Sequence, residues 1–243
     1  MTDLNINKNT KALNKQVQSF FIMSLKKASI IIILILLIDQ ISKVYVKTHF
    51  VLHDDISVFS WFKIAFVEND GMAWGTKLSD FFTFISDKSA KLILTLFRIL
   101  AVTGIAFWLV DVTKKKKSKT LIFAIAIIFA GALGNIIDSV FYGVLFSESN
   151  LQVATFLPEE GGYAGVFHGK VVDMLYFPIW SGLLPESLPV IGGKYFSFFD
   201  PVFNVADVAI STGIGILILF NKKAFHENSK IEQSDLVTHN NLT

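Results

Sequence analysis

Asp39, Lys43, Arg98, Asn135, Asp138, Asn204 and Asp207 stand inside otherwise apolar stretches of this sequence. Ionisable groups in such surroundings are costly and mark functional sites by default. The chain has no Cys, which excludes a thiol nucleophile, thiolate metal sites and disulfides. His49, His53 and His168 do not pair on a helix face, and no HExxH-type signature occurs, so metal-dependent hydrolysis has no support. Ser211 and Thr212 could act as nucleophiles only beside a base, and Lys43 is the one Lys away from the ends of these stretches. Carboxylate is what remains plentiful. Two Asp held close cannot both ionise cheaply, so one stays protonated while the other acts as a base. The base activates water, the acid polarises a carbonyl, and proton exchange releases an amine. Titration of such a pair belongs to both groups together. Spacing alone does not say which two Asp form it.

The elements that must position these groups are helices in a membrane. Of 243 residues, 52% are hydrophobic and 17% charged, against about 45–50% and about 25% in soluble domains. Mean hydropathy is +0.54. Four segments carry the nearly 20 apolar residues that a span requires, at about 28–46, 90–110, 120–140 and 203–220. The first is too long for a signal-peptide core, and the polar residues before it lack a small-residue cleavage site. Small residues (Ala130, Gly131, Ala132, Gly134, Gly213 and Gly215) would allow close helix approach, or are simply tolerated in apolar helices. Many of the 24 Phe lie near the ends of apolar runs, as suits a membrane interface.

Lys26 and Lys27 precede the first span, Lys114–Lys117 and Lys119 fill the second connection, and Lys222 and Lys223 follow the fourth span. The positive-inside rule therefore puts both termini and the lysine loop in the cytoplasm, against the weaker signal of Lys88 and Lys91. The expected organisation is a polar tail at 1–25, a membrane domain at 26–221 and a polar tail at 222–243, with extracytoplasmic segments at about 47–89 and 141–202. Residues 63–68 alternate as a strand should and end in Asn69-Asp70-Gly71, a turn signal. The fold class is thus an all-α polytopic membrane protein, a four-transmembrane-helix bundle with a small extracytoplasmic β-sheet and loop region. A net charge of +2 gives no reason to expect nucleic acid.

Counted from the nearest boundary lysine at 1.5 Å per residue, Asp39 lies roughly 18 Å, Asp138 roughly 28 Å, Asp207 roughly 22 Å and Arg98 roughly 24 Å from the cytoplasmic side. Each has a plain alternative. Asp39 and Lys43 could be an i,i+4 ion pair, Arg98 could snorkel or pair with an Asp, Asn204 could cap a helix, and Asp138 could be interfacial. One shared depth on four helices favours a single polar cavity in the outer half.

Five stations in order resemble the lipoprotein signal peptidase (signal peptidase II) family. Asp39-Gln40-Ile41-Ser42-Lys43 is similar to its DQxxK. Asn69-Asp70-Gly71-Met72-Ala73-Trp74-Gly75 resembles NxGxAFG, with Trp74 in the aromatic place. Gly134-Asn135-Ile136-Ile137-Asp138 resembles GNxxD, Val171-Val172-Asp173 the VVDF station, and Phe203-Asn204-Val205-Ala206-Asp207 the FNxAD station. The resemblance implies catalytic carboxylates at Asp173 and Asp207. It implies that Asn69, Asn135, Asp138 and Asn204 orient them or bind substrate backbone, with Asp39 and Lys43 supporting the geometry and Gly71, Gly134 and Ala206 as further motif positions. It also implies a prolipoprotein substrate with a lipidated Cys, cleaved before that residue in the bacterial cytoplasmic membrane, near its outer face. Neither metal nor other cofactor is implied; membrane lipids and globomycin-like inhibitors are the expected partners, and a monomer the expected state.

The chain departs from the family at Ser139, where Arg is usual, and at Met174, where VVDF has Phe. Arg98, at similar depth, is expected to supply the missing charge. The outer segment is also long, and residues near 143–165 and 178–200 are expected to cap the cavity or shape lipid access. A solute-coupled transporter would need a polar ladder through both halves of the membrane, whereas the inner halves of the first, third and fourth spans are almost wholly apolar. A non-catalytic assembly protein would tolerate Asp→Asn changes.

Overall fold

A computed structural model describes residues 24–70, 85–198 and 201–225. Its long helices are α1 (Leu25–Lys47), α2 (Asp87–Lys114), α3 (Lys119–Ile137) and α4 (Val205–Leu219), followed by a short helix α5 (Asn221–Phe225). Three are long and apolar enough to cross a membrane, the third when counted through Leu145. At 15 residues, α4 reaches about 22 Å. The lipid solvent suits what α1 and α2 expose: Ile41 is 66% accessible, Leu100 71% and Phe107 73%, which water would penalise.

Each long helix begins at a side-chain oxygen that takes up free backbone N–H groups. Ser24 Oγ accepts from Lys27 N (3.4 Å), Ser86 Oγ from Ser89 N (3.2 Å) and Ser118 Oγ from Leu121 N (3.2 Å). Asn204 Oδ1 accepts from Asp207 N (2.9 Å). These caps explain why α2 starts at Asp87 and not near 90, and why α4 starts at Val205 and not at 203.

The described residues fall into two compact units. One holds α1 up to Leu34, Val102–Ala130, and the chain from Ala209 onward. Its centre is α3, with Ile122, Ala124, Ile125 and Ala126 fully buried. A Cβ on Gly213 would lie 2.8 Å from the Ala124 carbonyl, so α4 packs on α3 through a position that tolerates no side chain. Gly215, by contrast, faces open space.

The other unit comprises Ile35–Ala101 and Gly131–Val208. It contains an antiparallel sheet in the order β1-β2-β3-β6, where β1 is Asp55–Phe59, β2 Phe62–Asn69, β3 Val171–Tyr176 and β6 Val202–Phe203. A separate hairpin pairs β4 (Trp180–Leu183) with β5 (Tyr195–Phe198). The expected strand before Asn69 is β2. One face of the sheet closes over Val46, Phe50, Phe66, Tyr142, Phe146, Val172 and Met174. Met174 is 2% accessible in that core, so it fills with a flexible apolar chain the place where the family motif has Phe.

Beyond Ile137, α3 opens into a π-turn, Asp138–Tyr142, and one last helical turn, Gly143–Leu145. The cause is visible in its carbonyls. Ser139 O accepts from Gly169 N (2.9 Å) and Val140 O from Phe167 N (3.1 Å), so both bond outside the helix. Further bonds from Leu157, Tyr163 and Ala164 to Leu145, Phe146 and Gly143 bind the long 143–170 segment to the end of α3.

Candidate active site

Alternation along β2 and β3 separates two sets of side chains. Phe66 and Glu68 turn one way, Val67 and Asn69 the other. Val67 lies opposite Asp173 in the ladder, and Asn69 Nδ2 reaches diagonally to donate to Asp173 Oδ2 (3.1 Å). β6 pairs with β3 at Leu175–Phe203 and Tyr176–Val202, and so delivers Asn204 beside Asp173. Asn204 Nδ2 donates to Asp173 Oδ1 (2.6 Å).

Asn204 also caps α4, and the exchange is reciprocal: Asn204 N donates to Asp207 Oδ2 (3.1 Å) while Asp207 N donates to Asn204 Oδ1 (2.9 Å). This is a capping box with Asp in the acidic place. Asp207 Oδ1 accepts from Asn135 Nδ2 (2.9 Å). One buried asparagine therefore bridges the two carboxyl groups. Burial, and then the Asp207 charge, push Asp173 up to about 7 against the lowering effect of its Asn69 and Asn204 donors. Asp207 is half-buried in the first turn of α4.

Beneath this pair lies a buried ionic core. Lys43 Nζ meets Asp39 Oδ2 at 2.9 Å and Asp138 Oδ2 at 2.8 Å, and donates to Asn135 Oδ1 at 2.8 Å. Asp39 also accepts from Ala206 N (2.8 Å), an N–H in the first turn of α4. Asp138 accepts from Val172 N (3.4 Å), on β3. The two carboxylates that neutralise Lys43 thus each hold an element carrying a member of the pair. Gly134 is required here, because a Cβ would stand 2.6 Å from Asp39 Oδ2 and 3.4 Å from the Ala206 Cβ.

Arg98 is half-buried on α2, and its guanidinium lies within electrostatic reach of Asp207 and, more weakly, Asp173. Ser139 Oγ bonds back to the Asn135 carbonyl (2.9 Å) and brings no charge. Of the residues singled out in the sequence, Asp39, Lys43, Asn69, Arg98, Gly134, Asn135, Asp138, Asp173, Asn204, Ala206 and Asp207 gather in this unit; Gly71 lies outside the described residues. Lys91, which opposed the orientation rule, donates to the Asp70 carbonyl (2.8 Å) and meets its carboxylate at 3.4 Å.

Two features escaped the sequence reading. Gln40 Nε2 reaches Asp39, Asp138 and the Gly134 carbonyl at 2.9–3.2 Å, and Gln40 Oε1 accepts from Tyr142; its place inside the DQxxK motif was the available signal. The second is an ion cluster on the far face of the sheet. Lys47 pairs with Glu68 and donates to Ser149 (2.8 Å), while Lys170 reaches Glu68 at 3.1 Å. Burial would raise the Glu68 carboxyl, but Lys47, Lys170 and Ser149 outweigh it and hold the group below its ordinary value. Nothing local announces that pairing.

Three helices long and apolar enough to cross a membrane, together with a small antiparallel sheet, define the class as a membrane protein. Residues 31–222 match the family model described as signal peptidase (SPase) II. The chain is 46% identical over 196 residues to a lipoprotein signal peptidase of Porphyromonas gingivalis, covering 80% of this chain and 82% of that one. It is 33% identical over 216 residues to one from Amoebophilus asiaticus, covering 87% and 84%. A solved bacterial membrane enzyme shares the fold at a TM-score of 0.51 and 22% identity, across 86% of this chain and 96% of that one. The chain belongs to the signal peptidase II family.

Proposed function

We propose that this chain is an intramembrane aspartyl endopeptidase that removes signal peptides from diacylglyceryl-modified prolipoproteins, cutting before the lipid-modified Cys. The observation that carries the reading is Asn204, which donates to Asp173 while exchanging two hydrogen bonds with Asp207. Asp173, the group pushed up to about 7, is the resting acid. Asp207, which is less buried and accepts from Asn135 Nδ2 and Asn204 N, is assigned as the base.

Asp207 takes a proton from water as the water oxygen attacks the scissile carbonyl carbon. Asp173 gives its proton to the carbonyl oxygen, producing a gem-diol. Collapse returns a proton to Asp173, breaks the C–N bond, and sends the proton held by Asp207 to the leaving amine. Arg98, within electrostatic reach of Asp207, supplies the positive charge that the family usually carries at position 139. Neither metal nor cofactor takes part.

In this reading α4 is the fourth span, both termini and the lysine loop are cytoplasmic, and residues 47–89 and 141–202 face outward with the site near the outer surface. Acyl chains of the substrate enter from lipid, and globomycin-like peptides compete for the same space. The enzyme acts as a monomer in the bacterial cytoplasmic membrane.

The test is cleavage of a lipid-modified prolipoprotein by purified protein. Asp173→Asn and Asp207→Asn should each lose at least about a thousandfold in rate, as removal of a catalytic group does, and Arg98→Ala should lose about tenfold or more. Full activity in either Asp variant would defeat the assignment, and an unchanged rate in Arg98→Ala would remove that residue from it.

A further inference from the structure

Between β3, which carries Asp173, and β6, which precedes Asn204, the chain makes an excursion. It leaves after Tyr176 and returns at Val202, two residues paired in the sheet. Within it, β4 and β5 form a sheet of their own, with Leu183 opposite Tyr195 and Gly182 opposite Phe196. A Cβ on Gly182 would lie 3.2 Å from the Trp180 ring, which leans along the strand and lies 6.4 Å from the Phe196 ring.

The connection from β4 to β5 is closed by its own backbone. Leu184 N donates to the Lys194 carbonyl (3.0 Å), and Gly193 N to the Leu184 carbonyl (3.0 Å). Leu188 N donates to Pro185 (3.1 Å), Gly192 N to Leu188 (3.0 Å) and Lys194 N to Ile191 (3.3 Å). These bonds pair backbone groups within the tip, while apolar side chains stand outside it. Val190 is 89% accessible, Leu183 70%, Tyr195 69% and Ile191 47%. Val190 also holds φ at +72°, where a turn in water ordinarily takes Gly or Asn.

Backbone groups satisfied beneath an apolar exterior are what lipid requires and water penalises. The root of the excursion is tethered near lipid as well, because α4 starts at Val205, within about 11 Å of chain from Val202. We infer that the tip of this hairpin, residues 183–195, docks into the membrane leaflet that α4 enters. Leu183, Val190, Ile191 and Tyr195 then lie at the boundary between headgroups and acyl chains. Glu186 and Lys194, exposed on the two limbs of the tip, reach headgroups and water and limit the depth. Taking one exposed Val or Leu side chain out of water favours the docked state by about tenfold or more. A second copy of the chain is a poorer occupant, since four side chains fall well short of the roughly 20–30 residues a side in a stable interface. The inference rests on α4 being the fourth span, and not on the cleavage chemistry.

Because the chain has no native Cys, single nitroxide labels can be placed at Val190→Cys and Leu183→Cys in phosphatidylcholine vesicles. Ile214→Cys, on an exposed position of α4, and Glu159→Cys serve as references. Collisions with oxygen, which concentrates in lipid, and with a water-soluble nickel chelate report depth. The oxygen-to-nickel ratio at Val190 and Leu183 should exceed that at Glu159 severalfold and approach that at Ile214. Val190→Asp should bring the Leu183→Cys label back toward the Glu159 ratio. Nickel contact at both tip positions, with lipid contact kept at Ile214, would overturn the docking and leave the fourth span standing. Nickel contact at all three would overturn both. Shielding from both reagents, or spin–spin broadening between copies, would put protein on the tip in place of lipid and overturn the inference as well.

Discussion

Asp173 works against its own surroundings. It is 4% accessible and close to a second carboxyl, and burial with that neighbour outweighs its donors Asn69 and Asn204, so the group is pushed up to about 7. A carboxyl whose value is raised on folding binds its proton more tightly in the native state. Native stability therefore falls as pH rises from the ordinary carboxylate range, near 4, and the cost is fully present above about 7. At about 1.4 kcal/mol per unit, that cost is on the order of a few kcal/mol. Asp173→Asn removes it. In thermal unfolding at pH 8 the inactive variant should melt above the wild type, and at pH 4 the two should coincide. A variant that melts lower at pH 8 would mean that the carboxylate is a stabilising group and not a strained one.

Among the elements, α4 and β3 matter most, because each brings one carboxyl and each is held by a carboxylate of the ionic core. Asn204 joins them by two separable functions, a cap on α4 and a donor to Asp173. Asn204→Ala loses both and should lower stability by about 1 kcal/mol for the cap. Asn204→Ser restores a cap oxygen but not the reach of Nδ2, so it should recover most of the stability and little of the cleavage rate. Recovery of both would reduce Asn204 to a cap.

This division also shows what the sequence made legible. Apolar runs located the helices, and the alternation up to Asn69 located β2, because those signals are local. Asp173 was recognisable in its apolar setting and by its motif. The union of Asp39 and Asp138 on one Lys43 was not, since it depends on α1 and α3 approaching through Gly134. Glu68 and Lys47 lie 21 residues apart, at the ends of a strand and a helix, where either charge would ordinarily be solvated. The π-turn had no local signal either; its carbonyls are drawn off by residues 167 and 169.

For the whole molecule, the proposed topology puts the lysine loop and the 143–170 segment on opposite sides of a membrane. The absence of native Cys makes this simple to test. Lys116 and Glu159 are both exposed. A membrane-impermeant maleimide applied to intact spheroplasts should label Glu159→Cys at once, and Lys116→Cys only after permeabilisation. The reverse order would invert the protein and put the carboxyl pair on the cytoplasmic side.

In the proposed mechanism Asp173 is the acid that keeps its proton near neutrality. The pH dependence of kcat/KM for prolipoprotein cleavage reports the ionisations of the free enzyme. The proposed mechanism requires a descending limb with a midpoint near 7, following the proton held at Asp173, so that activity disappears as the solution becomes alkaline. A rate that stays level or climbs from pH 6 to about 9 would contradict it, because a carboxyl that has already lost its proton could not polarise the carbonyl.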